Sequence, residues 1–141
     1  MKSLLLLLML AVPSAAAIGQ TSGITVWPKG VPPQGLTYKA DFGDHILSIS
    51  HREHSGRVEI HQTKVDVLVI QSGTATLVSG GVPVDPVRTA PHELQASSIK
   101  GGVSRTVGPG DVIDIPIGVP HQFLLTPGTQ ITYLVVKVVK H

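Results

Sequence analysis

The residues that most constrain this chain lie near its end: Gly110-Asp-Val-Ile-Asp-Ile-Pro116-Ile-Gly118-Val-Pro-His121-Gln-Phe. Pro109-Gly110 is a turn pair, and the apolar run from Val112 to Ile115 behind it predicts a short strand. Pro116 and Gly118 end that strand in a tight bend: proline cannot donate to a ladder, and glycine accepts left-handed backbone. His121 then opens the next apolar run, which continues to Leu125. A strand, a bend and a histidine at the head of the returning strand aim one imidazole at a fixed point.

The rest of the chain repeats this grammar. His45 to His51 alternates loosely, and Val58-Glu59-Ile60-His61 alternates strictly between apolar and polar. Val65 to Ile70 is a nearly continuous β-branched run. Thr74 to Ser79 follows a Ser72-Gly73 turn, and Gly80-Gly81 predicts a two-residue hairpin turn. Val103 to Val107 is another strand. After the Pro127-Gly128 turn, Gln130 to Val139 reads as a long Val-rich strand. No run of ten residues keeps a helical apolar period beyond the N-terminal segment. With 15 Gly and 11 Pro in 141 residues, the punctuation suits many short strands. The prediction is an all-β single domain over residues 36–141, a sandwich or barrel, for which a jelly roll is one way to close the sheet. Residues 18–35 read as an extended arm, with an edge strand around Ile24 to Trp27 and Trp27 as its packed anchor. Pro83 to Lys100, broken by Pro83, Pro86 and Pro91, reads as one long irregular loop. That loop either caps the barrel mouth or packs on the outside.

The first 17 residues have the layout of a secretory signal: Lys2, an apolar run from Ser3 to Val12, then Pro13-Ser14-Ala15-Ala16-Ala17 before a cut near Ala17. The run is shorter than the roughly 20 residues a permanent anchor needs. The expectation is an exported protein, periplasmic or secreted, with no stable membrane span after cleavage. Loss of Lys2 from the 11 basic side chains leaves 10 against 9 acidic ones, a formal charge of +1. No basic cluster is present, so nucleic acid is not an expected partner. The absence of Cys excludes disulfides, thiolate metal sites and cysteine nucleophiles.

The motif from Gly110 to His121 resembles the second signature of the cupin superfamily: Gly, five residues, Pro, one, Gly, two, His. The first cupin signature runs His, one residue, His, three or four residues, Glu, six residues, Gly. Here Glu59-Ile-His61 is followed after four residues by Asp66 and after six more by Gly73. His61 and Gly73 match. Glu59 stands where the first His usually is, Asp66 where the Glu usually is, and Leu125 where an Asn often follows the second motif. The resemblance covers residues 59 to 125. It implies a double-stranded β-helix, or jelly-roll, barrel and, as the superfamily's range, metal-dependent oxygenase, isomerase or decarboxylase chemistry.

Physical chemistry leads to the same residues. On a strand, Glu59 and His61 share one face while Val58 and Ile60 take the other. If the polar face is interior, ionisable groups are buried together, and a divalent metal is an efficient partner for them. Glu59, His61, Asp66 and His121 form the candidate metal set. Its imidazoles and carboxylates suit Fe, Mn, Ni or Zn without choosing among them. A metal-free hydrogen-bonded cluster of Glu59, His61 and His121 answers the same burial argument. Glu59 or Asp66, if free of metal, is a candidate catalytic base.

The strand period puts Phe123 and Leu125 in step with His121, and Leu68 and Ile70 in step with Asp66. These predict an apolar pocket wall, with Asp114 and His51 as further candidate pocket residues and Gln122 facing away. Three functions stay open: an enzyme acting on a small organic molecule, a non-catalytic module that binds one, and a structural role with a filled barrel. The apolar C-terminal strand, read as an edge, predicts a homodimer.

Overall fold

The computed structural model describes residues 24–30 and 38–140. The predicted signal segment and its cleavage site lie outside the described residues. Thirteen strands follow a three-residue 3-10 turn at Pro28–Gly30. They are β1 (Lys39–Asp41), β2 (His45–Arg52), β3 (Val58–His61), β4 (Lys64–Gly73), β5 (Ala75–Ser79), β6 (Val82–Val84) and β7 (Val87–Ala90). After these come β8 (Glu93–Ala96), β9 (Ser98–Lys100), β10 (Val103–Val107), β11 (Val112–Ile115), β12 (His121–Leu124) and β13 (Ile131–Val139). Among the described residues no helix is long and apolar enough to cross a membrane.

Two antiparallel sheets face each other. One has the order β1-β2-β13-β4-β11 and the other β10-β5-β12-β3-β8-β7. The inward residues keep the two-residue period of the sequence. Leu68 and Ile70 on β4, Leu77 on β5, Phe123 on β12 and Ile131, Tyr133 and Val135 on β13 join Val107 and Ile115 in one buried cluster. Each such aliphatic or aromatic side chain contributes about 1.5–3 kcal/mol by leaving water. Phe123 and Tyr133 meet across the sheets with ring centroids 4.9 Å apart.

Four sequence expectations need correction. First, β13 is no edge strand. It lies between β2 and β4, paired along both sides, so both of its backbone edges are covered within the chain, although of its valines only Val135 is buried. The exposed-edge reason for a homodimer is thereby removed. Second, residues 83–100 are not an irregular loop. They contain β7 and β8, which extend the second sheet beyond β3, and most of the β6–β9 ribbon. Their prolines sit at turns and edges, where no ladder donor is required. Ala96, Leu94 and Ile99 from this stretch cover Val58 and Ile60, the face of β3 opposite Glu59. Of the two placements foreseen for this stretch, packing on the outside is the one observed. Third, Gly80-Gly81 does not close a hairpin. Ser79 pairs with Val103 and Val82 with Lys100, so Gly80-Gly81 and Gly101-Gly102 oppose each other at a corner where the ribbon leaves the barrel. Gly81 has φ 69°, and a Cβ there would stand 2.3 Å from the Lys100 carbonyl oxygen. Fourth, residues 24–27 form no strand, and Trp27 is half-buried.

Candidate functional site

Local pairing brings the two sequence motifs together. His121 is the direct cross-strand partner of Glu59, so both project from one face of the second sheet. Pro116 and Gly118 make the expected bend, with Gly118 at φ 78°. The Gly118 amide donates to the His61 carbonyl oxygen at 2.8 Å, fastening the bend to β3. Asp66 enters from β4 on the opposite sheet. Its cross-strand partner is Lys137 of β13.

These side chains form a dense polar cluster. His61, Asp66 and His121 are buried, with 7%, 3% and 5% exposure. Asp66 Oδ2 accepts from Lys137 Nζ at 2.6 Å and lies 3.2 Å from His61 Nε2. Glu59 Oε2 is 3.7 Å from the same nitrogen. Glu59 also accepts from Arg52 Nη2 at 2.9 Å, and Arg52 Nε donates to the Tyr133 hydroxyl at 2.8 Å. On the far side of the ring, His61 Nδ1 donates to the Glu93 carboxylate, which Lys64 Nζ also holds at 2.6 Å. His121 Nδ1 donates to the Val119 carbonyl at 3.0 Å. The two imidazoles lie 5.3 Å apart, centre to centre.

Burial and charge pull the ionisable groups in opposite directions. Burial alone would push His61 down, but the Asp66 carboxylate, with help from Glu93, outweighs burial and the Lys137 charge and holds it above the ordinary imidazole range. Burial would raise Asp66, but His61 and Lys137 hold it below the usual carboxylate range. Lys64 and His61 likewise overcome burial and lower Glu93. His121 is shifted downward, chiefly by burial, so its neutral form is favoured.

The cluster forms one end of a cavity of about 70 Å³ between the sheets. Leu68, Phe123 and Val135 make the apolar wall, while Ser48, Ser50 and Arg57 add polar groups. A water needs about 10–15 Å³, so the space suits about five water-sized groups.

The backbone superposes on a cupin 2 conserved barrel domain protein from Rhodopseudomonas palustris with a TM-score of 0.50 and 19% identity, over 70% of this chain and 55% of that one. The chain has the cupin fold. A cupin-like protein from Thermotoga maritima is also similar, with a TM-score of 0.48 and 15% identity over 69% of this chain and 59% of that one. So is an oxalate oxidase, with a TM-score of 0.48 and 17% identity over 68% of this chain and 42% of its own. The chain spans about half the length of these solved proteins. No protein-family model matches it, and no curated protein matches it.

Within this cupin barrel, Glu59, His61, Asp66 and His121 converge as expected, and Leu68 and Phe123 line the cavity. Other expected pocket residues do not. Ile70 is buried in the core, beyond the cavity. Leu125 packs against the core from the β12 end. Asp114 is exposed on the outer face of β11. His51 is exposed too, hydrogen-bonded to Thr132 Oγ1 at 2.7 Å, because its neighbours Ser50 and Arg52 hold the inward positions of β2. Gln122, expected to face away, is among the lining residues and donates to the Gly56 carbonyl at 2.8 Å.

Sequence reading missed Lys137, Arg52 and Glu93. Lys137 was findable, since it continues the inward series Ile131, Tyr133, Val135. Arg52 continues Ile46, Ser48, Ser50 in the same way. Glu93 lay in the stretch read as a loop, though it pairs directly with His61 in the ladder.

The donor set fits a divalent metal. One ligand atom from each of Glu59, His61 and His121 lies within 4.8 Å of the others. Donors on one ion about 2.1 Å away stand at most about 4.2 Å apart, so the triad is near coordination spacing. Each imidazole has its Nδ1 fixed by an oxygen acceptor, the usual arrangement behind a metal-binding Nε2. Asp66 Oδ1 is buried with no hydrogen-bond partner, a vacant acceptor beside the triad.

Proposed function

We propose that this chain is an exported, metal-dependent enzyme that acts on a small organic molecule inside the cupin barrel. The observation that carries this reading is the Glu59–His61–His121 donor triad with both imidazoles oriented from behind. Export rests on the N-terminal sequence alone. The metal would be held by Glu59, His61 and His121, with Asp66 beside them. Fe, Mn, Ni and Zn all suit such donors. Bound there, it would act as a Lewis acid on a substrate oxygen.

The chain's own residues supply the rest. Leu68, Phe123 and Val135 keep water from one side of the reacting group. Arg57 is exposed, lines the cavity and has no ion-pair partner among the described residues, so it suits an anionic end of the substrate. Where Asp66 rather than Glu59 completes the ligand set, Glu59, part-exposed at 29% of its side chain and anchored by Arg52, is placed to move a proton.

One observation favours a second reading, a non-catalytic binding module without metal. With neutral imidazoles, the carboxylates of Glu59, Asp66 and Glu93 are balanced by Arg52, Lys64 and Lys137. Element-specific mass spectrometry of the protein from its own host separates the two. The first reading expects a stoichiometric transition metal, lost in His61→Ala and in His121→Ala. Glu59→Gln that keeps metal but loses turnover of a substrate found by screening would mark Glu59 as a base. Metal-free native protein, or unchanged stoichiometry in both histidine variants, refutes the first reading.

A further inference from the structure

Lys137 is out of place in a cavity that has the donors for a cation. Its ammonium sits 2.6 Å from Asp66 Oδ2 and 2.9 Å from His61 Nε2. Both atoms belong to the candidate metal set, and Nε2 of His61 is the atom that an ion would use. We propose that Lys137 is a tethered cation that keeps the place of the metal, and that metal entry displaces it from Asp66 and His61. This inference rests on the metal-binding reading and adds how occupancy of that site is controlled.

Charge, geometry and room support the exchange. Arg52, Lys64 and Lys137 already balance the carboxylates of Glu59, Asp66 and Glu93, so a divalent ion added without displacement leaves two uncompensated positive charges in a buried site. Withdrawal of the ammonium removes one of these charges and frees Asp66 Oδ2. With Oδ1 already unpartnered, the whole carboxylate becomes available. The departing group has somewhere to go: Lys137 lines the cavity, its side chain is 22% exposed, and its four-carbon stem carries the charge toward solvent. The strand period also fixes the device. Lys137 and Asp66 are cross-strand partners, so the ammonium stays tethered beside the carboxylate it leaves.

Zinc titration calorimetry on the wild type, Lys137→Gln and Lys137→Met tests the exchange, with circular dichroism and melting curves as the check on folding. The expected result is zinc affinity at least about tenfold higher in the variants, because the ion no longer competes with a built-in charge. In the wild type, bound zinc should raise acylation of Lys137 by an amine-reactive reagent several-fold. Peptide mass spectrometry reads this against the exposed Lys100 as internal reference. Equal affinity in all three chains, with Lys137 labelling unmoved by bound zinc, overturns the displacement and leaves the metal site standing. Failure of every chain to bind zinc overturns the metal site and the displacement with it. If the variants do not fold, the labelling of the wild type decides.

Discussion

Asp66→Asn, made in protein stripped of metal by a chelator, isolates the electrostatics of the cluster. The substitution keeps the shape and one acceptor oxygen but removes the charge between Lys137 and His61. Asp66 makes two charged contacts, 2.6 Å to Lys137 and 3.2 Å to His61, and its side chain is only 5% exposed. Hydrogen bonds to charged groups contribute about 1.5–3 kcal/mol each, and Asn retains part of that. The expected loss is about 2–4 kcal/mol at pH 6. In a chain of this size that is a fall in Tm of about 5–15 °C. The pH profile carries more information than the size. Asp66 has a depressed folded pKa, so its stabilisation is present above the unfolded value of about 3.9 and is lost as pH falls through the folded one. His61 has a raised folded pKa, so its stabilisation is present below about 6.5 and is lost as pH rises through the folded value. The wild-type pair is therefore strongest between those limits. In Asp66→Asn the acid decline from this residue vanishes, and the alkaline decline moves to lower pH because His61 loses its main supporting charge. Urea titrations from pH 4 to 9 give the profile. A variant within 0.5 kcal/mol of wild type, with a profile of the same shape, would refute this account of the cluster.

Glu93→Gln should keep the fold and weaken zinc binding about 10–100-fold, because Glu93 orients the His61 ring from behind; calorimetry measures it, and unchanged affinity removes that role. Phe123→Ala should cost about 3–5 kcal/mol in urea unfolding, since the ring is buried in the core and packed on Tyr133. A loss below 1 kcal/mol would mean the cavity collapses without penalty. Gly118→Ala should cost about 1–2 kcal/mol from its φ of 78° alone. A neutral result would show that the bend relaxes without the left-handed residue.

Most of the barrel was legible because its strands alternate with a fixed period and end at Gly and Pro. β3, β10 and β11 have the bounds read from sequence, and the spacing of the two motifs named three buried polar residues, His61, Asp66 and His121. What failed was position within a sheet. Nothing local distinguishes a Val-rich edge strand from one flanked on both sides, so β13 was misplaced. Three prolines in 83–100 hid two strands of the main sheet. His51 shows a subtler limit. The alternation of β2 was visible, but which of its two faces turns inward depends on the strand beside it. Lys137 shows the reverse, since its phase follows directly from Ile131, Tyr133 and Val135 on the same strand.

The peripheral ribbon and its neighbouring strands bear on chemistry as well as packing. Through Glu93, β8 reaches the back of an imidazole whose Nε2 meets Asp66 and Lys137. The proton affinity of that ring is thus set partly from the outside of the barrel. Sequence drift or a designed insertion between residues 83 and 100 would retune the cluster without altering one residue that lines the cavity.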